Sequence, residues 1–389
     1  MCGIVGLYSK AADIPRDRLA RIWSACEETL EVLRFRGPDE KQLLLKGRTI
    51  LGHTRLSIID LSTGTQPIFN EDGTVAVVLN GEIYNFPELR EELQARGHVF
   101  STHSDTEVIV HLYEDVGEEV FSYLNGMFAV LIHDARSDTV LGARDRSGEK
   151  PLVYCETPDA FLFASEIKAV LKMPGVPREL DMEAIALYLN SLFIPAPYTV
   201  FRHIRKLPPA HYIKVRGSSI EVHKYWDPHV DVVWDKGESE ICEEFLELFA
   251  DAVKLRTVAD VPLGVFLSGG IDSSAVVASM ARLCPGMVRT FSVGFADEID
   301  ERPYARMVAE RYGTMHTELF VDQKLNDVAM DVIEYFDEPF GDSSAIPTHM
   351  ISREARKHVK VILTGDGGDE LFAGYTSYLN QKYQLSGRI

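Results

Sequence analysis

The rhythm of apolar and polar positions changes once along this chain. Up to about residue 215, short apolar runs are separated by turn clusters, and strands are predicted over 4–8, 75–79, 129–133, 140–144 and 161–164. Apolar residues at three- and four-residue spacing predict helices over 19–34, 88–96 and 106–116. Strands and helices mixed without regular alternation imply an α+β domain of stacked sheets. Residues 224–238, with Pro228, Gly237 and several charges, break both rhythms and read as a linker. Beyond them strands and helices alternate. Helices are predicted over 240–255, 273–283, 304–312 and 325–335, and strands over 261–267, 288–295, 316–321 and 360–364. That order predicts an α/β domain with a doubly wound parallel sheet, whose ligands bind at the carboxyl ends of the strands. The expected organisation is a first domain over 1–215, a connection over 216–238 and a second domain over 239–389.

Composition narrows the partners. At 389 residues, 46% apolar and 25% charged, the chain has the make-up of a soluble globular protein with two domains. A net charge of −19 argues against nucleic acid or an anionic membrane as a partner of the bulk surface. Small anionic ligands need only local backbone donors and a metal. The five cysteines are an odd number without a CxxC, so neither a disulfide framework nor a zinc site is indicated. No apolar run approaches eighteen residues, and no basic region precedes a long apolar stretch after Met1. The reading is a reduced, cytoplasmic, acidic protein of small-molecule substrates, and it admits a homodimer.

Two groups of residues carry chemistry. In the second domain, the apolar run 261–267 leads into Ser268, Gly269, Gly270, Ile271, Asp272, Ser273 and Ser274, then a helix. Two glycines admit an anion close to the backbone, the helix start offers N–H groups, and Asp272 can hold Mg²⁺ against a phosphate. No Gly-Lys-Ser/Thr closes the loop, which excludes a Walker motif; a plain helix cap is the competing reading. The loop resembles the pyrophosphate loop of ATP pyrophosphatases. A second cluster, Thr364-Gly365-Asp366-Gly367-Gly368-Asp369-Glu370, follows the strand residues 360–363 and suits a metal–nucleotide or an activated intermediate, against the plainer reading of an acidic surface turn.

In the first domain, Cys2 becomes the amino terminus if Met1 is removed, uniting a thiol with an α-amine of pKa near 8 that can shuttle its proton. Arg55 can clamp a carboxylate, Asn80 and Gly81 can form an oxyanion hole, and Glu82 can hold an ammonium group. Asp105 lies in Ser104–Glu107, which opens a helix and also reads as a cap. Nucleophile, oxyanion hole, carboxylate clamp and acidic ammonium partners are what glutamine hydrolysis requires.

On these residues, with Arg36-Gly37-Pro38-Asp39 and Phe163-Ala-Ser-Glu-Ile-Lys168, the chain resembles the glutamine-dependent asparagine synthetase family over essentially its whole length. The resemblance implies an N-terminal-nucleophile sandwich of antiparallel sheets between helices, followed by an ATP-pyrophosphatase-type synthetase domain. It implies Cys2 as nucleophile once Met1 is gone, and a glutamine site of Arg55, Leu56, Ser57, Ile58, Ile59, Asn80, Gly81, Glu82 and Asp105. It further implies ATP contacts at Phe266, Val293, Thr364 and Gly365, with the Ser268–Ser274 loop around pyrophosphate. Mg²⁺ is assigned to Asp272 and Asp369, and Asp366 is placed among the catalytic residues. The implied reaction activates the aspartate side chain as β-aspartyl-AMP; ammonia from glutamine reaches it through an internal passage and gives asparagine.

Three features depart from the family pattern. Phe35 replaces a usual His, and Asp366 replaces Glu, as in one branch of the family. The sequence stops at Ile389, where family members continue with covering helices and further acidic and lysine residues, so the reading is of a fragment or a shortened product. The alternatives are a family amidotransferase with another carboxylate acceptor, or a chain retaining only glutaminase or binding activity.

Overall fold

The computed structural model describes residues 1–229, 235–295, 300–321, 325–375 and 378. They form two compact units, one of Met1–Val232 with Ile333–Asp342, the other of Val233–Val332 with Ser343–Ile389.

The first unit is built on two antiparallel six-stranded sheets. One contains β1 (Gly3–Ser9), β2 (Glu40–Lys46), β3 (Thr49–Arg55), β8 (Val153–Glu156), β9 (Ala160–Ala164) and β10 (Ile204–Lys206), in the order β10-β8-β9-β1-β3-β2. The other contains β4 (Ile68–Phe69), β5 (Val75–Ile83), β6 (Gly126–Asp134), β7 (Thr139–Arg144), β11 (His211–Arg216) and β12 (Ser219–Lys224), in the order β12-β11-β7-β6-β5-β4. Six helices accompany them: α1 (Arg16–Val32), α2 (Phe86–Ala95), α3 (Glu107–Val116), α4 (Val120–Tyr123), α5 (Ile167–Val170) and α6 (Met182–Ser191).

Side chains alternate across a strand, and here both faces are covered. On β1, Val5 and Leu7 pack with Ile22 and Leu30 of α1, while Ile4 and Tyr8 meet Ala76 and Val78 of the opposite sheet. On β5, Val77 and Leu79 turn the other way, to Leu93 of α2 and Ile109 of α3. The result is a helix–sheet–sheet–helix sandwich. Double coverage makes a run such as Val75–Leu79 continuously apolar, which is why it is legible as a strand.

β5 runs past its predicted end at residue 79, and Asn80, Gly81 and Glu82 pair with Ala129, Phe128 and Met127. The Asn-Gly pair is therefore no turn. A side chain at Gly81 would stand 2.0 Å from the Met127 carbonyl oxygen, so only glycine lets the two strands approach this closely. Ser219–Lys224, which the sequence places in the connection, is an edge strand whose polar outer positions conceal it. Residues 333–342 also belong to this unit, which the linear division does not anticipate. Asp337 accepts from the Lys168 backbone N–H at 3.0 Å, and Glu338 accepts from the Val200 N–H at 3.3 Å and pairs with Lys206.

Among the described residues, the second unit has four parallel strands, β13 (Leu263–Phe266), β14 (Arg289–Phe295), β15 (Met315–Val321) and β16 (Val361–Leu363), ordered β15-β14-β13-β16. Its helices are α7 (Glu238–Leu255), α8 (Ile271–Leu283), α9 (Arg302–Tyr312), α10 (Leu325–Tyr335), α11 (Ala345–Ala355) and α12 (Gly368–Phe372). Val253, Val277, Met280 and Ala305 from α7, α8 and α9 form one core with Val265 and Leu363. Val332 and Met350, from α10 and α11, pack with Val293 in another. The strand order reverses between β13 and β16, the place where a doubly wound sheet opens a crevice. No helix among the described residues is long and apolar enough to cross a membrane.

Candidate active site

In the first unit, side-chain alternation assembles the site. Cys2 continues the face of β1 that carries Ile4 and Tyr8, and Arg55 that of β3 that carries Leu51; both faces look into the layer between the sheets. Asn80 and Glu82 continue the face of β5 that carries Ala76 and Val78, and look back from the opposite sheet. His53 bridges the sheets through Nε2 at 3.0 Å from the Leu79 carbonyl, and burial drives its pKa down to about 3, so the ring is neutral.

Cys2, Arg55, Leu56, Ile58, Ile59, Gly81, Glu82 and Asp105 line one small cavity, joined by Gly64, Gln66, Ser104 and Thr106. Cys2 Sγ accepts the Leu56 backbone N–H at 3.5 Å. Burial pushes the thiol pKa up, opposed by the amino-terminal charge and the Leu56 N–H. Asn80 is wholly buried, and neither amide atom has a hydrogen-bond partner. Such a group costs about 1–3 kcal/mol, which a ligand oxygen accepting its N–H would relieve. Asp105 accepts the Ile83 N–H at 2.8 Å and lies beside Glu82. Burial holds both carboxyls above their ordinary range, and for Glu82 the Asp105 charge adds to it.

The predicted cap at Ser104–Glu107 has a different form. Thr106 is the N-cap of α3 and makes no side-chain capping bond, and Asp105 borders the cavity while accepting the Ser104 and Thr106 hydroxyls. Arg55 is also more engaged than a lone clamp: Nη1 donates to Glu40 at 3.1 Å, and Nη2 to the Ile59 and Asp60 carbonyls. Ser57 is held from outside, its N–H donating to Asp39 at 2.9 Å.

Several supports lie outside the predicted set. Arg36 donates from Nε to the Cys2 carbonyl at 2.9 Å and is fixed by Glu166 at 2.7 Å. Ser165 exchanges hydrogen bonds with Ile4, accepting its N–H at 2.9 Å and donating its own backbone N–H to the Ile4 carbonyl at 3.1 Å. The recurrent Arg-Gly-Pro-Asp and Phe-Ala-Ser-Glu runs thus hold the amino-terminal strand, and their presence in the sequence was the available signal. Lys150 carried none: its ammonium is buried against Met127 Sδ at 2.9 Å, and burial lowers its pKa.

In the second unit, a cavity of about 320 Å³ opens at the carboxyl ends of the strands. Its walls include Phe266, Ser268, Gly270, Asp272, Ser273, Val293, Thr364, Gly365 and Asp366, together with the unpredicted Glu301, Thr348 and Ile351. Gly269, Ser274 and Asp369 do not line it. Gly269 shapes the loop instead: its φ is +86°, and a side chain there would meet Tyr304 Cβ at 2.5 Å. Ser274 Oγ is buried without a partner.

The competing cap reading does not hold for this loop. The N-cap of α8 is Gly270, without a side-chain capping bond, so no cap side chain occupies the first N–H groups of the helix. The Asp272 carboxylate packs against Gly368, where an added Cβ would lie 2.6 Å from its Cγ, and borders the cavity. The Asp369 carboxylate turns to Gly374. Of the two residues assigned to Mg²⁺, Asp272 therefore fits a metal carried by a nucleotide.

An antiparallel double sandwich with a half-buried thiol at its first strand, followed by a parallel-sheet unit with a glycine loop at a helix start, is the architecture the sequence led us to expect of a glutamine amidotransferase joined to a nucleotide-binding unit. The glutamine amidotransferase domain family matches residues 1–226, and the asparagine synthase family matches 244–388. A putative glutamine-hydrolysing asparagine synthetase of Methanocaldococcus jannaschii is 36% identical, over 98% of this chain and 76% of that protein. Asparagine synthetase 1 of Bacillus subtilis is 37% identical, over 97% of this chain and 59% of that one. The chain belongs to the glutamine-hydrolysing asparagine synthetase family. It spans about three-fifths of the length of the Bacillus relative.

Proposed function

We propose that the chain joins glutamine hydrolysis in its first unit to ATP-dependent formation of asparagine from aspartate in its second. The observation that carries this reading is the single cavity in which Cys2 faces Gly81, Glu82 and Asp105 across the two sheets. With Met1 removed, the α-amine of Cys2 takes the thiol proton and the sulfur bonds to the amide carbon of glutamine. Asn80 Nδ2 and the Gly81 N–H hold the oxyanion. The proton passes to the leaving nitrogen, ammonia departs, and water cleaves the thioester to give glutamate. Arg36, locked to the Cys2 carbonyl, keeps the nucleophile at the cavity mouth. Arg55 receives the α-carboxylate of glutamine; Glu82 and Asp105 receive its α-ammonium.

In the second unit, the uncapped start of α8 and the Ser268–Ser274 loop hold the β and γ phosphates. Phe266, Val293, Thr364 and Gly365 seat the rest of ATP. The aspartate β-carboxylate displaces pyrophosphate at the α phosphorus, ammonia displaces AMP, and asparagine results. Asp272 would hold Mg²⁺ carried by the nucleotide, which would neutralise charge on the leaving pyrophosphate; Asp369, off the cavity, would join it only by turning from Gly374, and Asp366 lines the same cavity.

Glutamate release from glutamine, pyrophosphate release with aspartate, and asparagine formation test the reading when measured together. Cys2→Ala is expected to lose glutamine use and keep ammonia-dependent synthesis. Pyrophosphate released with another carboxylic acid but not with aspartate would redirect the acceptor. No glutaminase activity in protein verified to begin at Cys2 would overturn the first half.

A further inference from the structure

Away from both cavities, two histidines and two glutamates of the first unit converge. Glu71 lies in the turn before β5, His98 follows α2, and His111 and Glu114 stand one turn apart on α3. One ligand atom from each lies within 4.8 Å of all the others, and among the described residues no other group of three or more such donors does so. His98 Nδ1 is 3.3 Å from one oxygen of Glu71, and His111 Nδ1 is 3.3 Å from the other. Ligand atoms about 2.0–2.1 Å from a tetrahedral zinc ion stand roughly 3.3–3.4 Å apart.

Two more observations point to a ligand. His111 is fully buried, and its ring nitrogens meet only the Glu71 and Glu107 carboxylates, at 3.3 and 3.6 Å, without good hydrogen-bond geometry. Its Nδ1 stands 3.3 Å from a Glu71 oxygen off the hydrogen-bonding direction, a spacing that two ligands of one ion share. The far nitrogen of each ring also faces a carboxylate. His98 Nε2 is 3.2 Å from Asp115 Oδ1, and His111 Nε2 is 3.6 Å from Glu107 Oε1. Metal-bound histidines present their second nitrogen to such partners, which fix the tautomer. Glu107 is itself anchored, accepting the Ser101 and Thr102 backbone N–H groups at 2.7 Å each. Arg136 and Asn70 hold Glu114, and Arg96 holds Asp115.

We infer that Glu71, His98, His111 and Glu114 form a site for a zinc-type divalent transition-metal ion. Imidazole with carboxylate in a four-donor set suits zinc. No cysteine takes part, so the cysteine pattern gives no sign of it. The ion would fasten the turn before β5 and the segment after α2 to α3. His98 and His111 bracket residues 104–106, so the clip closes the loop that presents Asp105. The site stands on its own geometry, independent of the proposed reaction.

The test is zinc binding to the full chain, carried out in Cys2→Ala, Cys242→Ser protein so that neither the amino-terminal nor the exposed thiol competes. After chelator treatment, titration with ZnCl₂ is expected to restore one zinc per chain by elemental analysis and to raise the melting temperature by several degrees. His98→Gln should lose that equivalent. Asp115→Asn, which keeps all four ligands, should bind 10–100-fold more weakly. His223→Gln, at an exposed His–Glu pair outside the cluster, should bind as the parent does. No zinc retained at tens of micromolar, or an equivalent that survives both His98→Gln and Glu71→Gln in chains with native circular dichroism, would overturn the proposal.

Discussion

The two cavities solve opposite problems. The one at Cys2 lies between two sheets, and its walls include Cys2, Glu82 and Asp105, titratable groups whose pKa values burial raises. The one at the strand ends of the second unit is wide and lined by exposed loop residues such as Ser268, Thr364 and Asp366. A site that recognises an amino acid by its two charges gains from prearranged, desolvated partners, because each interaction is stronger away from water. A site for a polyphosphate works through backbone N–H groups and the field at a helix start, and it tolerates solvent.

The contrast can be broken most sharply at Asn80. Asn80→Ala removes one oxyanion donor and is expected to lower glutaminase kcat about 10²–10³-fold, with ammonia-dependent pyrophosphate release unchanged. Loss of both activities would show that Asn80 serves the fold instead.

Glu82→Gln comes next. Removing a charge-assisted contact to the α-ammonium should raise the KM for glutamine about 10–100-fold. The same change should raise the melting temperature at pH 7–8. A carboxyl whose folded pKa lies above its unfolded value favours the folded state below that unfolded value, and progressively less as the pH rises through the folded pKa. The melting gain should therefore vanish near pH 4.

pH gives the third prediction. Glutamine's ammonium needs the Glu82–Asp105 pair ionised, so kcat/KM for glutamine should fall up to tenfold per unit as the pH drops below the raised range of the pair. A glutamine profile set only by ordinary carboxylates, flat down to pH 5, would contradict this.

The smallest effect separates two aspartates of the second unit. Asp272→Asn should raise the KM for Mg-ATP several-fold more than Asp369→Asn, since only the former carboxylate borders the cavity. Equal effects would place the metal nearer α12.

The legible parts of the chain were those with strong local signals. Continuous apolar runs such as Val75–Leu79 marked doubly covered strands, and alternation after residue 240 marked the parallel sheet. Strands such as Glu40–Lys46 and Ser219–Lys224 escaped because their polar positions resemble turns. Cys2, Arg55 and Asp105, singled out in the sequence as one constellation, line one cavity together. Arg36, Glu166, Ser165 and Lys150 act by holding others, and their partners are distant in sequence: 130 positions separate Arg36 from Glu166. The Glu71–Glu114 cluster was hidden for the same reason, its donors lying on three separate segments.

The contacts of Asp337 and Glu338 bear on how the chain is made. Lys206 and the backbone N–H groups of Lys168 and Val200 find these acceptors only in residues that emerge after β13, β14 and β15. During synthesis these contacts of the first unit can therefore form only after β13, β14 and β15, three of the four strands described in the second unit, have been made. A gene cut after residue 226 would encode the nucleophile and its pocket without that last stitch, and a separately expressed piece should prove more readily unfolded than the same residues in the longer chain.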